Sequence, residues 1–261
     1  MDSWSSGNSY EPYVGRWSRL VAAEFVDWLG SPTGARWLDV GCGTGALTDA
    51  VLSRASPTDV LGVDPSPGFV AHAAAHVPDP RASFTVGDAR AVPVPDGWFD
   101  VAVSGLMLNF VPERSQALGE MRRAVGPGGV VAAYVWDYPA GMQLMTHFWD
   151  AAIELDPTAR TTHEAVRFGF CRPDPLRSMF ERAGLSDVDV RPIVVPTGFR
   201  DFDDYWTPFL GGTGSGPAYA MSLPEDQRSA LREALRERLP TEDDGSIRLT
   251  ARAWAVRGSY R

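Results

Sequence analysis

The stretch Trp37-Leu38-Asp39-Val40-Gly41-Cys42-Gly43-Thr44-Gly45 constrains the fold of this chain more tightly than any other. Apolar, extended-favouring residues run straight into three glycines, and a helix-like run over 47–55 follows. The pattern predicts a strand, a tight turn and a helix N-terminus. Glycine serves where the backbone needs a positive φ or where a ligand must approach it with no Cβ in the way. The helix start adds unpaired N–H groups and the positive end of the peptide dipoles. A corner of this kind suits a nucleotide or a nucleoside-like cofactor.

The same rhythm continues to residue 136. Strands are predicted at 36–41, 59–64, 82–88, 99–105 and 130–136, with helices at 45–55, 67–76 and 113–125 and a leading helix at 18–29 capped by Ser18. Strands alternating with helices imply an α/β fold, a parallel sheet with helices on both faces whose ligands bind outside the carboxyl ends of the strands. Beyond 136 the rhythm breaks. A helix-like stretch at 141–155 is rich in Met, Phe and Trp, and a helix at 175–183 ends at Gly184, a suitable C-cap. The strand at 188–196 holds Pro192, which confines it to a sheet edge. A charged amphipathic helix at 224–239 precedes a last strand at 247–256. The glycine-rich run 211–216 reads as a lid hinge or as a loose surface loop.

Two features leave the cofactor open. Gly41-x-Gly43-x-x-Ala46 fits the dinucleotide fingerprint, and Asp64 ends the second strand, where a carboxylate binds ribose hydroxyls or caps the next helix. The neighbouring blocks narrow the choice. Leu38-Asp39-Val40-Gly41-Cys42-Gly43-Thr44-Gly45 is followed in order by Val63-Asp64-Pro65-Ser66, by Val86-Gly87-Asp88-Ala89, and by Phe99-Asp100-Val101-Ala102-Val103-Ser104 with Gly126-Pro127-Gly128-Gly129. This series resembles the class I S-adenosylmethionine (SAM)-dependent methyltransferases. The subgroup it most resembles is that of bacterial ubiquinone- and menaquinone-type C-methyltransferases and natural-product methyltransferases.

The resemblance implies a Rossmann-like seven-stranded sheet of order 3-2-1-4-5-7-6 with strand 7 antiparallel, in one domain over 1–261. It implies that inserts at 137–172 and 199–246 form a substrate cap or lid. By the same resemblance, Asp39, Gly41, Cys42, Gly43 and Gly45 take the methionyl part of SAM and Asp64 the ribose. Asp88 and Ala89 take the adenine with Pro65 packed against its ring, and Ser66, Ser104 and Leu106 also belong to the cofactor site. A segment around Tyr13, Arg16 and Trp17 folds over the cofactor in that subgroup. There Arg16 would pair with the SAM carboxylate and Tyr13 or Trp17 would face the sulfonium; alternatively, Trp17 belongs to the core.

Methyl transfer from a sulfonium is an in-line displacement with a neutral leaving group, so positioning does most of the work. A base is needed only where the acceptor must lose a proton. The base candidates are His147, Asp137 and Tyr13, with Tyr138 comparable. Asn109 is either a polar contact near the methyl group or the cap of the turn after strand four. Trp136, Phe148, Trp149, Trp206 and Phe209 wall an acceptor pocket or form the core of the cap. His72 and His76 have an i, i+4 spacing but no third ligand nearby, so a solvated helix face is expected. Asp201, Asp203 and Asp204 read as helix caps, and no metal is expected.

Composition limits the alternatives. The net charge of −9 argues against a nucleic acid partner, since such binding rests on phosphate neutralisation. No apolar run approaches the roughly 20 residues of a membrane span. The polar start is not a signal peptide, and two cysteines give no disulfide framework. The expectation is a cytoplasmic monomer or homodimer acting on a small aromatic or apolar acceptor such as a quinone-like compound or secondary metabolite. S-adenosylhomocysteine would be the cofactor product. The competing readings are an NAD-dependent oxidoreductase and a non-catalytic SAM-binding protein.

Overall fold

Apolar residues buried on both faces place strand β1 (Arg36–Val40) in the middle of the sheet: Trp37, Leu38 and Val40 are fully buried. The computed structural model describes residues 16–211 and 214–261, apart from the side chain of Arg16. β1 pairs in parallel with β2 (Asp59–Asp64) on one side and β4 (Phe99–Gly105) on the other. β3 (Ala82–Val86), β5 (Val125–Trp136), β6 (Ser186–Phe199) and β7 (Ile247–Ser259) complete a sheet of order β3-β2-β1-β4-β5-β7-β6. β7 runs antiparallel to both of its neighbours. This is the expected Rossmann-like order, with helices around the sheet. β6 lies at the edge, where Pro192 and Pro196 remove ladder donors without harm to the sheet.

Helices α1 (Arg16–Leu29), α2 (Ala46–Arg54), α3 (Pro67–His76) and α4 (Arg114–Ala124) connect or cover these strands. α1 packs on α2 and across β6 and β7, while α4 packs on β4 and β5. The chain reverses its direction across the sheet between β1 and β4, which opens a crevice at their carboxyl ends.

Several boundaries differ from expectation, those of α1 and β5 most tellingly. α1 starts at Arg16, so Ser18 is a buried residue of its first turn and not its cap. Trp17, set edge-on to Phe199 at 5.3 Å, anchors that extra turn in the core. β5 starts at Val125 rather than 130, because Phe99 pairs with Val125 and Val101 with Val130, so the Gly-Pro-Gly-Gly segment is a bulge within the strand. Gly129 fits there because an added Cβ would lie 2.8 Å from the Gly126 carbonyl.

After β5, helices α5 (Gln143–Leu155), α6 (Glu164–Arg167) and α7 (Pro173–Arg182) precede β6, and α8 (Phe202–Trp206), α9 (Ser215–Ser222) and α10 (Glu225–Arg238) precede β7. Their aromatic rings close on one another. Phe148 stacks on Phe209 at 4.3 Å, and the Tyr205 hydroxyl donates to the Leu144 carbonyl at 2.9 Å. The buried Glu164 carboxylate accepts N–H bonds from the Trp149 indole and from Gly216, so it ties α5 to the start of α9. Residues 212 and 213 of the glycine-rich run lie outside the described residues. Asp201 caps α8 by accepting the Asp204 N–H at 2.8 Å.

Asp137, just after β5, is buried and bound by Arg252 of β7 through Nη2 at 2.6 Å and Nε at 2.7 Å. Removing the cation would strand a carboxylate in the protein interior. Arg252→Met should therefore lower stability by about 2–3 kcal/mol, at the low end for such pairs because the Arg252 side chain is about a third exposed. Denaturant unfolding measures this, and Asp137→Asn added to Arg252→Met should recover part of the loss.

Candidate functional site

The crevice holds a cavity of about 390 Å³, walled by the ends of β1, β2 and β4 and by the first turn of α1. Its floor is the glycine corner. Gly41, Gly43 and Gly45 have φ values of +77°, +53° and +89°. At Gly41 the requirement is double, because a Cβ would fall 2.3 Å from the Cγ of Met107. Gly41 and Cys42 both donate their N–H groups to the Val63 carbonyl, at 2.7 and 3.1 Å, which hangs the corner from β2.

Two carboxylates face this corner. Asp64, at the end of β2, accepts the Gly43 N–H at 3.0 Å and the Ser66 N–H at 2.9 Å. Ser66, not Asp64, caps α3 by accepting from the Phe69 N–H. Burial raises the Asp64 pKa against the opposing effect of its two donors. Each of its oxygens keeps a lone pair for a hydroxyl donor. Asp39 is wholly buried. Its Oδ2 accepts the Thr48 hydroxyl at 2.8 Å, whereas Oδ1 has no partner. Burial, with a smaller push from the Asp64 charge, moves its pKa up to about 7. Burial also pushes the Cys42 thiol up, so it is inert at neutral pH.

The far wall is the loop after β4. Leu106 takes φ +60° and donates its N–H to the Tyr134 carbonyl at 2.9 Å. Gly105 must be glycine, since a Cβ there would meet the Tyr134 hydroxyl at 2.5 Å. Met107, Phe110, Val111 and Tyr134 complete this wall, and Ser18 and Phe69 close the ends.

The structure thus gathers Asp39, Gly41, Cys42, Gly43, Asp64, Pro65, Ser66 and Leu106 around one cavity. Other candidates stand apart from its lining. Gly45 supports α3, where a Cβ would press on Val77 and Ala73. Ala89 and Ser104 are buried behind the crevice. Asp88 is gripped by Arg90, which holds its carboxyl below the usual range and also pairs with Glu113 at 3.0 Å. Trp17 packs on Phe199. His147 is half-buried beside Asp150 and Arg238, and its pKa is lowered mainly by burial. Asp137 is held by Arg252. Tyr13 and the Arg16 side chain lie outside the described residues. Among the described residues, no group of three or more His, Cys, Asp or Glu side chains is placed to hold a metal, and no helix is long and apolar enough to cross a membrane.

Sequence reasoning passed over Ser18, Gly105, Phe110 and Tyr134. Gly105 and Tyr134 carried a usable signal: a glycine ending one buried strand suggests a bulky ring on its neighbour.

Comparison with known proteins follows the same lines. A family model described as a methyltransferase domain matches residues 38–133. The 2-phytyl-1,4-naphtoquinone methyltransferase of Thermosynechococcus vestitus is 32% identical over 180 residues, covering 65% of this chain and 80% of the relative. This chain belongs to the class I SAM-dependent methyltransferases. The 2-methyl-6-phytyl-1,4-hydroquinone methyltransferase of Synechocystis is 30% identical over 178 residues, 67% of this chain and 54% of the relative. The chain thus spans about half the length of that relative. In fold it is similar to phosphoethanolamine N-methyltransferase 2 of Haemonchus contortus, whose structure was solved with S-adenosyl-L-methionine. The TM-score is 0.57 at 16% identity, over 93% of this chain and 53% of that one.

The residues present fit the family's cofactor better than a dinucleotide. Among the described residues, the cavity lining holds two carboxylates and no basic side chain. The amides of Gly41, Cys42 and Gly43 are already taken by Val63 and Asp64, so they are not free for a pyrophosphate. The unpartnered, buried Asp39 Oδ1 calls for a donor, and the site therefore favours a cation.

Two outcomes follow. Gly41→Ala should cost about 2–3 kcal/mol from the left-handed backbone and the Met107 collision, and should abolish cofactor binding in calorimetry. Asp39 has a raised folded-state pKa, so its contribution to stability is full below the unfolded value near 4 and is lost as pH rises to about 7. Asp39→Asn should therefore make the cofactor-free protein more stable than wild type at about pH 8, on the order of 2–4 kcal/mol. It should also flatten the profile of melting temperature between pH 5 and 7, read by calorimetric scans.

Proposed function

We propose that the chain transfers the methyl group of SAM to a ring carbon of a hydroxylated, quinol-like aromatic small molecule. The observation that carries this reading is the cavity itself: two buried carboxylates, the Gly41, Cys42 and Gly43 amides already paired, and no basic side chain in its lining among the described residues. Asp64 would hold the ribose hydroxyls, while Asp39, supported by Thr48, would face the ammonium of the methionyl part. The glycine corner lets the cofactor lie against the backbone. When bound, the sulfonium supplies an electrophilic methyl group and a neutral thioether leaving group.

The acceptor class rests on two supports. The similar proteins above are named for a hydroquinone and a naphtoquinone acceptor. In addition, among the described residues the carboxyls lining the cavity are Asp39 and Asp64, which this reading assigns to the cofactor. An electron-rich ring carbon needs no prior deprotonation by the protein. Its new bond to carbon forms as the carbon–sulfur bond breaks with the electron pair retained on sulfur. The ring then releases its proton to solvent. The segments at 137–172 and 199–246 would act as the cap over the acceptor, their interlocked aromatic core keeping that cover rigid.

The test is direct. SAM and S-adenosylhomocysteine should raise the melting temperature and NAD should not. With 1,4-dihydroxynaphthalene as probe acceptor, wild type should form a product carrying one added carbon-bound methyl group. Stabilisation by NAD would point instead to an oxidoreductase, and cofactor binding without turnover on any aromatic probe would point to a non-catalytic binder.

A further inference from the structure

Resting on the reading of an aromatic hydroxylated acceptor, we propose that Asn109, braced by Tyr138, is the residue that recognises the acceptor's ring oxygen. Asn109 stands in the loop that walls the cofactor cavity, between Met107 on one side and Phe110 and Val111 on the other. The loop turns at Leu106 in its left-handed conformation, and the Phe110 N–H closes the turn on the Met107 carbonyl at 2.8 Å. Asn109 itself is not part of the cavity lining. Its amide reaches the cap side, where Nδ2 makes a long 3.4 Å bond to the Tyr138 hydroxyl.

The other end of that amide is unsatisfied. Asn109 is 5% exposed, and Oδ1 has no hydrogen-bond partner. As the amide is assigned, Nδ2 faces the Tyr138 hydroxyl and Oδ1 is the atom left without a partner among the described residues. The surroundings are apolar: Leu108 is fully buried, and Phe168 lies 4.7 Å from the Tyr138 ring and 6.0 Å from Phe110. A capping role would have used the free amide atom on the backbone, and it does not. A leucine of similar volume would suit this environment better unless the amide serves a ligand. The ligand is a phenolic hydroxyl, which donates to Oδ1. It enters beside the cofactor from the cap side, where its ring meets the aromatic neighbourhood of Phe168 and Tyr138. Asn109 holds the ring oxygen through a neutral hydrogen bond and takes no proton, which leaves the ring carbon to react.

Asn109→Leu tests this, with 1,4-dihydroxynaphthalene and 1,4-dimethylnaphthalene as probes of equal shape. Binding is measured by calorimetry in the presence of S-adenosylhomocysteine, and turnover of the diol by product formation. The substitution should weaken diol binding and its kcat/KM by about 10- to 100-fold. It should leave binding of the dimethyl compound and of S-adenosylhomocysteine unchanged, and it should raise the melting temperature. Tyr138→Phe should show the same selective loss at smaller size. Equal losses for both probes, or a lowered melting temperature, would make Asn109 a structural residue and overturn the assignment. An unchanged diol affinity in Asn109→Leu would overturn it while leaving the methyltransferase reading intact. A wild-type protein that binds cofactor but neither probe would fail earlier, on the acceptor class, and take the assignment with it.

Discussion

The crevice depends on one crossing, the hydrogen bond from the Gly43 amide to the Asp64 carboxylate. β1 and β2 run in register from Arg36 opposite Asp59 to Val40 opposite Val63, so their carboxyl ends arrive together. The corner then bends back over β2, held by the Val63 carbonyl and by Asp64. That bend consumes the amides with which similar corners bind phosphate. It leaves a pocket whose charged side chains, among the described residues, are carboxylates, one with an unpartnered oxygen. A cationic, hydroxyl-rich cofactor answers both needs at once.

Asp39 carries the energetic cost of this arrangement. A fully buried carboxyl whose pKa has moved up to about 7 is held ready for a cation. The loop after β4 shows a similar trade, with Leu106 kept at a positive φ and Asn109 kept half-satisfied. The aromatic core of the cap, by contrast, is packed ring on ring, with Phe148 and Phe209 stacked.

Much of this was legible before any coordinates. The glycine spacing, the acid ending the second strand and the alternation of strands and helices located the crevice, and Pro192 marked an edge strand. What remained hidden depends on contacts between distant segments. Asp39, Gly41, Cys42, Gly43, Asp64, Pro65, Ser66 and Leu106 meet at the cavity, but nothing local in the sequence says that Asp64 spends its oxygens on Gly43 and Ser66. Likewise the Arg252 that claims Asp137 lies 115 residues away, and the rings of the inserts face one another rather than the crevice. The bulge at 126–129 escaped notice because a glycine-rich turn and a glycine-rich bulge read alike in one strand and differ only in the pairing of its neighbour.

The most direct test of the central claim is proton exchange during cofactor binding. SAM should be titrated by calorimetry at about pH 6.5 in buffers of different ionisation enthalpy. If Asp39 is largely neutral in the cofactor-free protein and ionises to meet a cation, binding releases most of one proton per site, and Asp39→Asn abolishes that release. Binding with no proton exchange in wild type, or undiminished release in the variant, would contradict the account.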